Sequence, residues 1–166
     1  MANVKIQFVG FTDLQEGIAI DGKFVKMKQD NDKKLNYSFE TEKDTFEIEV
    51  YKTHCYTGKN WFWWNLLYFF ISIFGLFDIR QNKRCLVQNC KFKIAVQPDQ
   101  TVIVRRQDFK DGEKLALVET DASVEEIANV QYYDKEGAKR HSKMKKFKIA
   151  TTILSVALAV VLIVVL

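Results

Sequence analysis

The chain is poor in the residues that secreted, catalytic and linker-rich proteins depend on. Its 166 residues include one proline, seven glycines, three cysteines and two histidines. So few prolines and such scattered glycines leave no Pro/Gly/Ser linker and no glycine-rich loop to cradle a phosphate. The cysteines, Cys55, Cys85 and Cys90, are odd in number. In a cytosolic setting that pattern implies free thiols, not a disulfide framework. His141 lies in a basic run, and His54 has no serine or carboxylate motif beside it, so no nucleophilic triad is indicated. Asp13 with Glu16, and Glu125 with Glu126, sit where exposed turns and first helical turns commonly carry acids. No apolar leader opens the chain, because MANVKIQFVG alternates at once. The expectation is a soluble part that stays in the cytosol and a C-terminal helix that inserts after synthesis. No repeat of fixed period is visible.

A metal is the next possibility. His54-Cys55 precedes an apolar segment, and Cys85 and Cys90 follow it, so four soft ligands could converge. Against this, neighbouring residues on a strand point to opposite faces. No metal and no cofactor are therefore expected.

The strongest positive feature is the tail. Residues 149–166 read IATTILSVALAVVLIVVL, without a charge. As a helix they reach ~27 Å, close to the ~30 Å hydrocarbon core. Twelve of them are Ile, Leu or Val, and at about −0.4 kcal/mol each these outweigh Thr151, Thr152 and Ser155. This is a transmembrane anchor. Just before it stand Lys139, Arg140, Lys143, Lys145, Lys146 and Lys148, with no acid after Glu136. By the positive-inside rule this polybasic lead places the soluble domain on the cytoplasmic face. Its partner is a bilayer with anionic headgroups, at ~1 kcal/mol per cation. These six cations exceed the whole net charge of +4. The remainder is slightly acidic, which argues against a basic nucleic-acid face.

A second apolar run, WFWWNLLYFFISIFGLF at 61–77, has nine aromatic residues among seventeen and no charge. A domain of this size has no need of a helix apolar all round at its centre. Trp61, Trp63, Trp64, Phe70 and Phe74 are expected at the membrane interface, where tryptophans concentrate. As a helix the run spans ~25 Å, short for a crossing. A crossing would also put the strands before and after it on opposite sides. The expectation is an insert, 60–79, that dips into the cytoplasmic leaflet. The alternative is two spans with the N-terminus outside. Asn65, Tyr68, Ser72 and Gly75 share one helical face that would suit close helix packing. The anchor, through Thr152, Ser155 and Ala159, is the obvious partner; the other reading turns that face toward headgroups or the sandwich.

The rest alternates with period two. Val4, Ile6 and Phe8 point one way, as do Leu35, Tyr37 and Phe39, then Phe46, Ile48 and Val50, and later Phe92, Ile94 and Val96. Asp21-Gly22 is a two-residue hairpin signal. Pro98-Asp99 and Asp111-Gly112 mark further turns. About eight short strands result. They predict a mainly β fold, an antiparallel sandwich or rolled meander, over residues 1–59 and 80–120. Ser123 and Glu126 form a capping box, with Val124, Ile127 and Val130 on one side of a helix. The expected boundary is a helix and basic lead over 121–148, which runs on into the anchor.

IAIDGK, the alternating LNYSFE and FEIEVYK together resemble the short β-hairpin units of PEGA-type domains in bacterial surface and membrane-associated proteins. The resemblance covers residues 18–52. The threonine-proline step and closing glycine-tyrosine of that family are absent. It implies a small sandwich of binding or spacer type, with no catalytic residues to carry over.

The expected function is that of a non-enzymatic, tail-anchored interaction or assembly module with a protein partner. The alternatives are a protein that perturbs or senses the bilayer through its aromatic insert, and a lipid-acting enzyme.

Overall fold

The structure, a computed structural model, describes residues 1–11, 16–29, 34–73 and 85–165. It divides into two compact units: residues 1–52 with 86–133, and residues 53–85 with 134–166.

The first unit is built of two five-stranded sheets. Its strands are β1 (Ala2–Val9), β2 (Gly17–Ile20), β3 (Lys23–Phe24), β4 (Lys28–Gln29), β5 (Leu35–Thr41), β6 (Thr45–Lys52), β7 (Leu86–Ala95), β8 (Gln100–Arg106), β9 (Ala116–Glu119) and β10 (Val124–Tyr133). One sheet has the order β4-β5-β1-β8-β9 and the other β10-β7-β6-β2-β3. All pairs are antiparallel except β1–β8, which is parallel.

The alternation read in the sequence sets the buried faces. Val4, Ile6 and Phe8 of β1, Phe46, Ile48 and Val50 of β6, and Cys90, Phe92 and Ile94 of β7 share one core. Val102 and Val104 of β8 join them. Each Val, Ile or Phe side chain among them contributes about 1.5–3 kcal/mol on burial. Asp21 (φ 50°) and Gly22 (φ 73°) both take positive φ between β2 and β3. That is the twist a two-residue hairpin needs, and Asp-Gly supplies it.

One expectation about the fold is overturned. Ser123 does not cap a helix, and residues 124–133 are strand β10. The cause is a bulge: Glu126 pairs with Phe92, Ala128 pairs with Lys91, and Ile127 is extra. Opposite the buried Ile94, Phe92, Cys90 and Gln88 of β7 stand 124, 126, 129 and 131, of which Gln131 is buried. Val124, Ile127 and Val130, spaced like one side of a helix, fall on no single face of the bulged strand. The Ser123 carbonyl instead accepts from the Ala95 N–H.

The pairing of β6 with β7 has a topological consequence. It runs in unbroken register from Thr45↔Ala95 to Lys52↔Gln88. Yet β6 precedes, and β7 follows, the segment that holds the aromatic run.

The second unit has two helices, α1 (Trp61–Ile73) and α2 (Lys135–Val165). The basic lead and the tail form one continuous helix, as the sequence predicts. It begins later than expected, at Asp134, whose Oδ1 accepts from the Gly137 N–H at 2.9 Å. The Asp134 carbonyl accepts from Ala138 at 3.0 Å. Asp134 is thus the N-cap. This helix is long and apolar enough to cross a membrane, and its apolar stretch is not buried.

Candidate functional site

Within the helical unit, the turn at 53–60 packs between the two helices through Tyr56. Tyr56, Cys85 and Met144 are almost fully buried, with Cys55, Trp61, Phe62, Leu66 and Ala138 against them. Asn65 is also fully buried. Its Nδ2 donates to the carbonyls of Cys55 (2.9 Å) and Trp61 (2.7 Å), and its Oδ1 accepts from Cys55 Sγ at 3.2 Å. Asn65 therefore ties α1 to the turn that precedes it.

Three ring contacts lay α1 beside α2. The Arg140 guanidinium stands 5.8 Å from the Trp61 ring, Phe62 meets Phe147 at 5.5 Å, and Lys148 Nζ stands 5.5 Å from the Phe69 ring. So, among the described residues, α1 lies along residues 140–148, the basic lead. Thr152, Ser155 and Ala159 are exposed. Tyr68 is half-buried. Gly75 and Phe74, and the side chain of Ser72, lie outside the described residues.

The opposite side of α1 is bare. Trp63 is 68% exposed and Trp64 55%, with Leu67 and Phe70 near half. These four recur at helical spacing and make one apolar stripe. Trp61 is not part of it: the ring is half-buried under Arg140. Among the cations, Lys139, Lys143, Lys145 and Lys146 are exposed. Arg140 is engaged inside the unit. Its Nη1 donates to the Tyr56 carbonyl at 3.0 Å, and its Nε lies 3.4 Å from Glu136.

The histidines and thiols have surroundings that the sequence did not reveal. His54 is sealed from solvent, with Nε2 3.1 Å from Asp134 Oδ2. The approach is close but poorly aligned, so Nε2 makes no proper hydrogen bond. Nδ1 accepts from the Tyr56 N–H at 3.3 Å, which assigns the proton to Nε2. Burial lowers the His54 pKa, and Asp134 opposes that shift in part. His141 stacks on Tyr56 at 4.9 Å. Burial pushes up Cys55, Cys85 and the Tyr56 hydroxyl, and lifts Cys90 to about 12. Protonated thiols are poor nucleophiles and poor ligands. Cys90 belongs to the sandwich core, whereas Cys55 and Cys85 pack on Tyr56. Among the described residues no three metal-ligating side chains come together.

The sandwich holds one buried polar chain. Arg106 Nη1 donates to Glu16 Oε1 at 2.5 Å, and Nη2 donates to Gln88 Oε1 at 3.0 Å. Gln88 donates to Gln131 at 3.3 Å, and Gln131 donates to the carbonyls of Asp108 and Lys114. A chain this well connected fixes sheet edges and the 107–115 loop. It has the character of scaffold.

Sequence reasoning missed Asp134 as cap and as neighbour of His54. The available signal was small: an aspartate directly after Tyr132-Tyr133, three residues before Gly137. No family model, no curated protein and no solved structure matches this chain.

Proposed function

We propose that this protein is a membrane-anchored interaction or assembly module whose β-sandwich works beside the bilayer on its cytoplasmic face. The observation that carries the reading is the β6–β7 register on either side of the aromatic run. A bilayer cannot pass through a hydrogen-bonded sheet, so both ends of segment 53–85 belong to one side. With α2 as the single crossing, α1 dips and returns. Its Trp63, Trp64, Leu67 and Phe70 stripe and the exposed Lys139, Lys143, Lys145 and Lys146 then meet headgroups of anionic lipid. The buried, satisfied polar chain of the sandwich supports a scaffold role over catalysis, and the sandwich surface is left for a protein partner.

The exposed aromatic stripe also favours a second reading, a protein that perturbs or senses the bilayer. Reconstitution separates the two. The module leaves dye-loaded vesicles of phosphatidylcholine and phosphatidylserine intact, and from its native membrane it co-purifies with a fixed partner in constant ratio. Dye release by the purified chain alone contradicts the module and supports the second reading.

A further inference from the structure

We propose that His54 is the trigger of an acid-sensitive latch, through which the 53–60 turn and α1 are held to the first turns of α2. The membrane reading supplies only the latch's location. Its parts are internal to the helical unit.

Both histidines of the chain, far apart in sequence, meet at Tyr56: His141 stacks on the ring at 4.9 Å and His54 lies 6.1 Å from it. His54 touches the start of α2 so closely that Gly137 has no room for a side chain. A Cβ there would overlap His54 Cε1 and lie 2.7 Å from Asp134 Oδ2. One carboxylate serves two ends, since Asp134 caps α2 with Oδ1 and faces His54 with Oδ2. The Asp134 N–H also donates to the Cys85 carbonyl at 2.9 Å. Turn, helix start and the far end of segment 53–85 therefore join at this one pair.

The neutral imidazole fits this site and the imidazolium does not. A proton added at Nδ1 would face the Tyr56 N–H, donor against donor, and that hydrogen bond is lost. The charge would arise in a sealed position. From α2 it is met by Asp134, which favours it, and by Arg140 and His141, which oppose it. Glu136 is already paired with Arg140. Among the described residues of its own segment it is met by Tyr56 and by the neighbouring Cys55, both uncharged near neutrality. α1, residues 61–73, carries no charged side chain.

The folded site therefore binds the proton less readily than the open chain, whose histidine titrates near 6.5. The latch is fully stable above that value. It weakens as pH falls below it, by up to about tenfold per unit, until the folded histidine itself titrates. Opening frees the Trp61, Phe62 and Leu66 side of α1 at the membrane surface.

The test is hydrogen exchange on the full chain in nanodiscs of phosphatidylcholine and phosphatidylserine, at about pH 7.5 and about pH 5.5. Protection is corrected for the intrinsic rate. One proton limits the loss over this interval to about tenfold, and because Asp134 favours the charged ring the wild type falls short of that limit: peptides from 53–66 and 134–148 lose severalfold in protection at the lower pH, while β8 does not change. His54→Asn keeps an acceptor for the Tyr56 N–H but cannot be protonated, and its protection stays flat. Asp134→Asn keeps the N-cap and removes the favourable charge, so its loss in acid exceeds that of the wild type. Flat wild-type protection overturns the latch, and so does a His54→Asn loss equal to the wild type's. If His54→Asn does not fold, an Asp134→Asn loss no greater than the wild type's does the same. Flotation of the same samples separates the readings: a chain that fails to float with vesicles contradicts the membrane reading, while the latch is still read in micelles.

Discussion

At the residue scale, the least replaceable positions are those where two groups need the same space or the same charge. Gly137 is one, because His54 and Asp134 occupy the room of its side chain. Gly137→Ala should destabilise the helical unit by about 1–3 kcal/mol despite alanine's better helix propensity. Exchange of the α2 amides in the full chain reads this. Unchanged or slower exchange contradicts the packing described. Arg106 is another, with the Glu16 side chain only 2% exposed beside it. Arg106→Met removes a cation from a buried carboxylate and should cost about 3 kcal/mol or more in urea unfolding of the sandwich. The double replacement Arg106→Met with Glu16→Met should recover most of that loss, because no buried charge is then left uncompensated. Equal losses in the single and double variants would show that Arg106 acts through packing alone.

At the element scale, the legible and the illegible features have different physical origins. The core strands and the anchor are local patterns. Val4, Ile6 and Phe8 alternate because one face is buried, Asp21-Gly22 turns because both residues accept positive φ, and the uncharged tail forms a helix apolar enough to cross a membrane. Strand β10 was illegible because the bulge at Ile127 breaks its period. No local property of Ser123 or Glu126 reveals that β7 offers an open edge 30 residues earlier. The His54–Asp134 pair is illegible for the same reason, since it depends on where α2 starts. For α1, the sequence puts Trp61, Trp63 and Trp64 together at the membrane interface, and the structure divides them. Trp61 is half-buried under Arg140, while Trp63 and Trp64 are exposed. This division makes a prediction. In a chain lacking 149–166, Trp63→Ser with Trp64→Ser should abolish most binding to anionic vesicles and the blue shift of tryptophan emission on adding lipid. Trp61→Ser should instead loosen the helical unit, read as faster exchange in 53–66. Vesicle binding that survives the double replacement and vanishes with Trp61→Ser would reverse the assignment.

At the scale of the whole molecule, the proposed function makes one topological demand. Segment 53–85 leaves from β6 and ends at β7, its hydrogen-bonded neighbour; in the proposed arrangement residues before and after α1 share one side of the bilayer and α2 alone crosses. The most direct measurement is labelling by an impermeant maleimide in sealed cells, with a single cysteine placed at exposed Glu42 or at exposed Asp111 in a chain whose own cysteines are replaced by serine or alanine. Both positions should stay unlabelled until the membrane is permeabilised, and should then label alike. Labelling of Glu42→Cys from outside while Asp111→Cys stays protected would mean that α1 crosses the bilayer, and would contradict the account.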